Sequence, residues 1–301
     1  MLERRFRPPH PVNLRLTLAP LCRGRGDLTM RIDAGGVWRA TRTPEGPVTI
    51  HLSSAGGEVT VESWGPGATW ALDAAPALVG ALDDDRGFVA RHAVVAELHH
   101  RLPGLRIPRS GAVVEALVPT VMEQKVTGLE AKRSYRAVVA ALGERAPGPA
   151  GDTGLLLPPS PGRLAATPAY ALHPFGLERK RADTIRRACA SASRLEEAAT
   201  MSAADARRRL CVLPGLGPWT AAEVALVALG DADAVSVGDY HLPHQVAWAL
   251  AGERRADDAR MLELLEPYRG HRGRVIRLIV AAGVAPPRIA PRARVRSIAR
   301  I

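Results

Sequence analysis

Cysteine is scarce in this sequence, and long apolar runs are missing from it. The three cysteines, Cys22, Cys189 and Cys211, are too far apart for a paired metal-ligand or disulfide spacing, and this pattern is typical of buried thiols in a reducing compartment. No stretch approaches the roughly 18 consecutive apolar residues that a membrane helix needs. The N-terminus also lacks the apolar core of a signal peptide. We therefore expect a soluble, cytoplasmic protein with no membrane partner.

Lysine is also rare. The chain has only Lys125, Lys132 and Lys180 among its 41 basic residues, so arginine supplies nearly all of the positive charge. The net charge of +11 favours a polyanionic partner, either nucleic acid or a membrane surface. Arginine suits bidentate phosphate contacts, although a GC-rich coding bias would produce the same excess. Composition alone does not separate these two explanations.

The N-terminal region, residues 1–85, has the pattern of a β-sheet. The 301 residues, 47% of them hydrophobic, suffice for two or three domains with buried cores. In residues 12–18 apolar side chains occupy every second position, as they do on one face of a strand. Glycine and proline turns separate four further strand candidates, at 28–32, 37–41, 48–52 and 59–64. We predict an antiparallel sheet of about five strands.

From about Leu78 onward, the apolar residues recur at helical spacing. Residues 144–167 are rich in proline and glycine, which predicts a long connection. The predicted helical segments are 92–102, 112–124, 128–142, 179–192, 203–212, 219–229, 246–250 and 275–282.

A glycine-containing segment, LPGLGP at 213–218, separates two of these helices. Glycine permits the left-handed angles that such a turn needs, and Pro218 suits the first turn of the next helix. The free N–H groups at that helix start form an anion site, where a DNA phosphate can bind without sequence preference. A bare Gly-x-Gly also occurs in ordinary helix–helix turns. The interpretation therefore depends on the sequence that follows.

The complete pattern, LPGLGPWTA at 213–221 followed by VGDY at 237–240, resembles the helix-hairpin-helix motif and catalytic aspartate of the helix-hairpin-helix DNA glycosylases. It is most similar to the bacterial 3-methyladenine DNA glycosylase II branch. Further segments, at 103–108, 122–126, 164–166 and 175–182, fall in the family's order. The resemblance implies DNA contacts by Leu213, Gly215, Leu216, Gly217, Thr220 and Lys125. It implies a base pocket that includes Trp219, Tyr240, Glu223 and Gln124.

Asp239 is the candidate catalytic residue. Breaking an N-glycosidic bond in DNA builds positive charge on the sugar, and a nearby carboxylate stabilises that charge. Asp239 also precedes the apolar run 246–250, where it would cap a helix. Capping alone is the alternative role.

Trp219 stands where lyases of this superfamily carry a lysine nucleophile. Because tryptophan cannot form a Schiff base, we expect a monofunctional enzyme that releases the base and leaves an abasic site. Trp219 would either stack on the flipped base or fill the core. The lack of four clustered cysteines excludes the iron–sulfur cluster of the endonuclease III-like branch.

Three positions depart from the family's pattern. Lys125 stands where an apolar wedge is common, and it would either fill the gap left by the flipped base or lie solvated on the surface. Glu223 and Val280 stand where aromatic pocket residues are expected. Glu223 would either offset a cationic base or face solvent on its helix. With 4% aromatic residues in the chain, the pocket looks unlike a π-rich cage for cationic purines.

The C-terminal end is basic and carries the arginines Arg288, Arg292, Arg294, Arg296 and Arg300. This tail would either grip phosphates or remain solvated. His241, His244 and His271 lack the spacing of a zinc site, and we expect no metal. The resemblance implies no cofactor and allows a monovalent cation at the hairpin backbone.

We predict an α+β fold, with an N-terminal antiparallel β region followed by two all-helical subdomains and the active site between them. The predicted boundaries are 1–85 for the β region, 112–232 for the hairpin subdomain, and 86–111 with 233–301 for the subdomain of Asp239. The expected function is hydrolytic excision of damaged purines from double-stranded DNA by a monomer, and alkylated purines are the expected lesion class. A glycosylase for deaminated or oxidised bases and a non-catalytic DNA-binding protein are the alternatives.

Overall fold

A five-stranded antiparallel sheet forms the N-terminal region of the computed structural model, which describes residues 1–287. The predicted arginine tail, Arg288 to Arg300, lies outside the described residues. The strands are β1 (Leu2–Phe6), β2 (Met30–Asp33), β3 (Gly36–Thr43), β4 (Gly46–Ala55) and β5 (Glu58–Trp64), in the spatial order β1-β5-β4-β3-β2. The predicted number of strands is confirmed.

One of the predicted strands is wrong. Residues 12–18 do not form a strand, because Leu14–Leu18 is a short helix, α1, and the first strand is β1. Asn13 begins this helix, since its side chain accepts a hydrogen bond from the Leu16 N–H at 3.1 Å. Leu14, Thr17 and Leu18 are the buried positions. In so short a run, leucines at every second position also satisfy helical spacing.

Helix α2 (Ala68–Leu78) packs on β1, β4 and β5, so helical structure begins ten residues earlier than the periodicity indicates. The remaining helices are α3 (Ala93–Arg101), α4 (Val113–Glu123), α5 (Gly128–Leu142), α6 (Pro149–Asp152), α7 (Pro161–Ala166), α8 (Ala169–Leu172), α9 (Arg179–Ala190), α10 (Ala192–Glu196), α11 (Ala203–Cys211), α12 (Pro218–Val224), α13 (Leu242–Ala251), α14 (Asp258–Leu265) and α15 (Arg272–Ala281). A π-helical stretch, Ala225–Leu229, continues α12. Four 3-10 turns occur at Ala19–Leu21, His173–Phe175, Glu197–Thr200 and Glu266–Tyr268.

The proline- and glycine-rich connection at 144–167 is more ordered than predicted. It contains the paired strands β6 (Glu144–Arg145) and β7 (Leu156–Leu157) as well as α6 and α7. Ala146, Ala150 and Leu157 form a small core with Ala40 of β3. The connection therefore covers one face of the N-terminal sheet.

Three main hydrophobic cores organise the described chain. One lies between the sheet and α2, a second joins α4, α5, α9, α11 and α12, and a third joins α3 with α13, α14 and α15. Arg274 of α15 forms a buried, two-pronged ion pair with Asp83, with both N···O distances at 2.7 Å, and so links the third core to the segment after α2. The exact subdomain boundaries stay a prediction.

Within residues 1–287, no helix is long and apolar enough to cross a membrane.

Candidate active site

The glycine segment at 213–218 forms a tight hairpin between α11 and α12. Gly215 has a φ of +95°, and a Cβ at this position would lie 2.4 Å from Oγ1 of Thr184 on α9. Gly217 has a φ of −103°, and nothing lies within 4 Å of the place where its Cβ would be. Gly215 is therefore required by the fold. Gly217 instead keeps the outer face of the hairpin open for the close approach of a ligand.

Two side chains from neighbouring helices hold the hairpin. Gln124, just after α4, donates from Nε2 to the Gly215 carbonyl at 3.0 Å and to the Thr220 hydroxyl at 2.9 Å. Arg187 of α9 donates to the Pro214 carbonyl at 3.3 Å. Gln124, predicted for the base pocket, thus lies against the hairpin and positions it.

Lys125 follows Gln124 in an exposed turn beside the hairpin. Its φ of 57° makes it the one non-glycine residue with positive φ in the part of the chain that the structure describes. Lysine rarely adopts this conformation, and such strain is common at ligand-contacting positions. Lys125 is exposed and directly follows Gln124, whose side chain binds the hairpin.

Asp239 lies in the loop before α13, and both of its carboxylate oxygens accept hydrogen bonds. Oδ1 accepts from the backbone N–H groups of His241 and Leu242 at 2.7 and 2.8 Å. Oδ2 accepts from the Trp219 indole N–H at 3.0 Å. The helix-capping role and the candidate catalytic role are therefore compatible, since the cap contacts use one oxygen and hold the other toward Trp219.

A cavity of about 170 Å³ opens beside Asp239. Its walls come from all three cores: Arg23 from the N-terminal region, Thr120 and Glu223 from the second core, and Gln245 and Arg277 from the third. Val280 also lines it, and the set of lining residues contains no aromatic ring.

Glu223 faces this cavity, so its interpretation as a solvated helix residue is wrong. The Ser236 hydroxyl donates to its Oε1. Burial raises the pKa of the Glu223 carboxyl, and the charges of Glu123 and Asp239 raise it further, against the Ser236 hydrogen bond. This carboxyl therefore keeps its proton to a higher pH than an exposed glutamate does.

Arg277, which no sequence motif indicated, also lines the cavity and is buried with 7% of its surface exposed. It donates to the Leu16 carbonyl at 3.1 Å, while its Nε is buried without a partner. Burial lowers the pKa of Arg277 to about 10, and the Glu223 charge opposes that shift. The available signal was its position three residues before Val280, on the same face of α15.

The other predicted site residues lie at several depths. Trp219 is half-buried and its indole N–H donates to Asp239; stacking of its ring on a flipped base stays a prediction. Tyr240 is 81% exposed, packs edge-on to His241 and is not among the residues that line this cavity; its contact with a flipped base stays a prediction. Leu216 and Thr220 are buried, and Leu213 is half-buried against the second core. The side chains of Leu216 and Thr220 are therefore not available for contact with DNA.

Across residues 1–287, no group of three or more His, Cys, Asp or Glu side chains is arranged to hold a metal ion. His244 instead accepts a hydrogen bond from the Ala256 N–H at 3.2 Å.

Comparison with known sequences identifies one kind of curated relative. No family model matches the sequence. The chain is 32% identical over 176 residues to a probable bifunctional transcriptional activator/DNA repair enzyme AlkA of Mycobacterium tuberculosis. The alignment covers 57% of this chain and 33% of the relative. The chain therefore spans about a third of the length of the curated protein that it matches.

Solved structures with the same fold cover nearly the whole chain. A 3-methyladenine DNA glycosylase from Archaeoglobus fulgidus has a TM-score of 0.76 at 18% identity, over 92% of this chain and 97% of its own. An 8-oxoguanine glycosylase/lyase from Clostridium acetobutylicum has a TM-score of 0.70 at 12% identity, over 93% of this chain and 95% of its own. The predicted α+β fold class is confirmed, as is the resemblance in sequence and fold to these DNA glycosylases.

Proposed function

We propose, from the premise that this chain has the fold of the helix-hairpin-helix DNA glycosylases, that it is a monofunctional DNA glycosylase of base excision repair. It would hydrolyse the N-glycosidic bond of damaged purines that are flipped out of double-stranded DNA. The observation that carries this proposal is the position of Asp239 at the wall of a cavity, beside an open hairpin that suits phosphate binding.

The hairpin would bind the DNA backbone and take no part in the chemistry. The first N–H groups of α12 have no partner within the helix, and nothing covers Gly217. A phosphate can therefore bind there and be stabilised by the helix dipole. Lys125, which is exposed, would enter the space that the flipped base leaves. Monomeric binding to duplex DNA meets these requirements, and a monovalent cation at the hairpin carbonyls is compatible with them.

Asp239 would stabilise the transition state. As the C1′–N bond breaks, its electron pair leaves with the base and positive charge develops on the deoxyribose. The Asp239 carboxylate, fixed by three hydrogen bonds, supplies the opposite charge with no reorganisation. A water oxygen then bonds to C1′ and gives up a proton, while the departing base gains one. The products are the free base and an abasic site.

Trp219 supports a reaction without strand cleavage. Lyase chemistry requires an amine that forms a Schiff base with C1′, and the indole N–H at this position is instead committed to Asp239. The relatives named above include both 3-methyladenine glycosylases and a glycosylase/lyase. The monofunctional assignment therefore rests on this residue.

Two lesion classes are candidates. Alkylated purines come first, because the curated relative is an AlkA repair enzyme and a structural relative is a 3-methyladenine DNA glycosylase. Deaminated or oxidised purines come second. The observation that favours them is a cavity wall with two arginines and a glutamate but no aromatic ring to stack on a cationic base.

A base-release assay tests the proposal. Duplexes that each carry one lesion, alkylated, deaminated or oxidised, are incubated with wild type and with Asp239→Asn, and abasic sites are revealed by alkali. We expect release of at least one lesion by wild type and a loss of roughly 100-fold or more in the variant, with DNA affinity changed little. Binding without release of any lesion would identify a non-catalytic DNA-binding protein. Strand breaks without alkali would contradict the monofunctional assignment.

A further inference from the structure

Two charged side chains line the cavity without pairing with each other. Glu223 and Arg277 interact electrostatically, yet among the described residues Arg277 takes part in no ion pair. The Ser236 hydroxyl donates to Oε1 of Glu223. The second carboxylate oxygen of Glu223 has no hydrogen-bond partner in the described chain. The two groups therefore present an acceptor and a donor to whatever enters the cavity.

The guanidinium of Arg277 has unused hydrogen-bonding capacity. One of its N–H groups is bound to the Leu16 carbonyl at 3.1 Å, and its Nε is buried without a partner. A buried donor without an acceptor is costly. The terminal N–H groups of the guanidinium that are not bound to Leu16 can donate to an oxygen acceptor in the cavity, whereas a ligand that presents an amine offers them no acceptor.

The position of Asp239 sets the orientation of a bound purine. Its carboxylate must face the sugar, so the glycosidic nitrogen of the base lies on the Asp239 side of the cavity. The opposite edge of the purine, with ring position 1 and the substituent at position 6, then extends toward the remaining walls. Glu223 and Arg277 are the charged groups that line the cavity together with Asp239 and Arg23. Arg23 is already paired with Glu123 at 3.4 Å.

We propose that Arg277 and Glu223 select 6-oxopurines, with Arg277 donating to the carbonyl oxygen at position 6 and Glu223 accepting from the N–H at position 1. This inference rests on the proposed glycosylase function and narrows its substrate class. Hypoxanthine and guanines alkylated at N3 or N7 carry this edge. Alkylated adenines that keep their exocyclic nitrogen have no carbonyl oxygen at position 6 and no N–H at position 1, so they leave both protein groups unsatisfied.

Free bases provide the first test, because it does not depend on catalysis. Binding of hypoxanthine and of adenine to the full chain is measured by saturation-transfer NMR with wild type, Arg277→Met, Glu223→Gln and Arg269→Met. Arg269 is the matched control, since it is exposed and paired with Glu266 away from the cavity. We expect wild type and Arg269→Met to prefer hypoxanthine, and Arg277→Met to lose the preference by roughly 10- to 100-fold.

Base release provides the second test. Duplexes with hypoxanthine or with 1,N6-ethenoadenine, which has no free edge at positions 1 and 6, are compared under single-turnover conditions. The ratio of the two rates is used, because a general loss of folding lowers both rates equally. We expect the ratio to favour hypoxanthine in wild type, to collapse in Arg277→Met, and to be partly restored in Arg277→Lys, which keeps the charge.

The outcomes separate this inference from the proposed function. Release of lesions with no preference for the 6-oxopurine, or equal losses on both substrates in Arg277→Met, would overturn the inference and leave the glycosylase function standing. Selective binding of hypoxanthine without release of any base would support the inference and overturn the glycosylase function. The absence of any selective binding by wild type would overturn the inference on its own.

Discussion

The indole N–H of Trp219 is one of three donors to the Asp239 carboxylate, and it is the only one of the three that belongs to a side chain. Trp219→Phe keeps most of the ring and deletes only this donor. We expect base release to fall roughly 10-fold, because a hydrogen bond to a charged group of this kind contributes about 1.5–3 kcal/mol. Single-turnover kinetics measures the effect, and Trp248→Phe on α13 is the control. An unchanged rate would favour a stacking role for the Trp219 ring.

Glu223 makes the stability of the protein depend on pH. Its pKa is raised in the folded state, chiefly by burial, so the folded protein holds this proton at pH values where the unfolded chain has lost it. The stability that depends on the proton is present at low pH and declines as pH rises from the ordinary glutamate pKa to the raised one. We expect Glu223→Gln to raise the melting temperature at pH 8 and to raise it less at pH 5. Equal shifts at both pH values would show that charge is not the cause.

At the scale of single residues, local sequence patterns indicated some of the site residues and missed others. Gly215 and Asp239 belong to two short motif segments, 213–221 and 237–240, that lie near each other in sequence. Arg277 does not, because its burial depends on the Leu16 carbonyl, 261 positions away along the chain. Tyr240 belongs to the same segment as Asp239, but its side chain is exposed to solvent in the loop before α13. Motif spacing fixes the backbone, and tertiary packing decides which side chains enter the cavity.

The two hairpin glycines should respond differently to the same substitution. Gly215→Ala places a methyl group 2.4 Å from the Thr184 hydroxyl at a φ of +95°. We expect a loss of about 1–3 kcal/mol in the free energy of unfolding, as for other strained backbone sites. Gly217→Ala meets open space at a negative φ, so its stability should be close to that of wild type while its affinity for DNA falls.

Chemical denaturation and DNA titration of both variants distinguish these effects. If Gly217→Ala bound DNA as tightly as wild type, the open face of the hairpin would not be the phosphate site. If Gly215→Ala were as stable as wild type, the contact with α9 would be less restrictive than its geometry indicates.

At the scale of elements, prediction succeeded where the end signals were strong. Helix α5 matches its predicted limits, 128–142, because Thr127 and Glu130 form a reciprocal capping box at its start. The strand predicted at 12–18 was wrong, because apolar residues in a run of five to seven residues can satisfy both the two-residue period of a strand and the period of a helix. The secondary structure within 144–167 could not be predicted from the sequence, because β6 and β7 have two residues each and depend on the sheet that they cover.

A buried ion pair joins distant parts of the molecule. Asp83 and Arg274 are 2% and 3% exposed, and Asp83 also accepts from the Ile107 N–H at 3.2 Å. We expect Asp83→Asn to cost about 3–5 kcal/mol in the free energy of unfolding, because it leaves a buried guanidinium without its counter-charge. Urea denaturation measures this. Asp84→Asn is the matched control, since Asp84 pairs with Arg86 at the surface. Similar losses in both variants would contradict this account.

At the scale of the whole molecule, the sequence predicted the class of fold and the coexistence of a β region with helices. It did not predict how these parts meet. The Arg39–Glu115 ion pair at 2.7 Å joins β3 to α4, and the Asp83–Arg274 pair joins the segment after α2 to α15. Neither pairing has a local signature, because partners separated by tens to hundreds of residues leave no periodic trace.

Segments from the N-terminal region and from both helical parts of the chain line the cavity, and this has a consequence for the protein during its synthesis. The chain is synthesised from its N-terminus, and domains generally fold in that order. The hairpin and Asp239 leave the ribosome before α15, which carries Arg277 and Val280. Under the proposed function, a nascent chain would be able to bind DNA before it could enclose a base, and excision would begin only when the last wall of the cavity has packed.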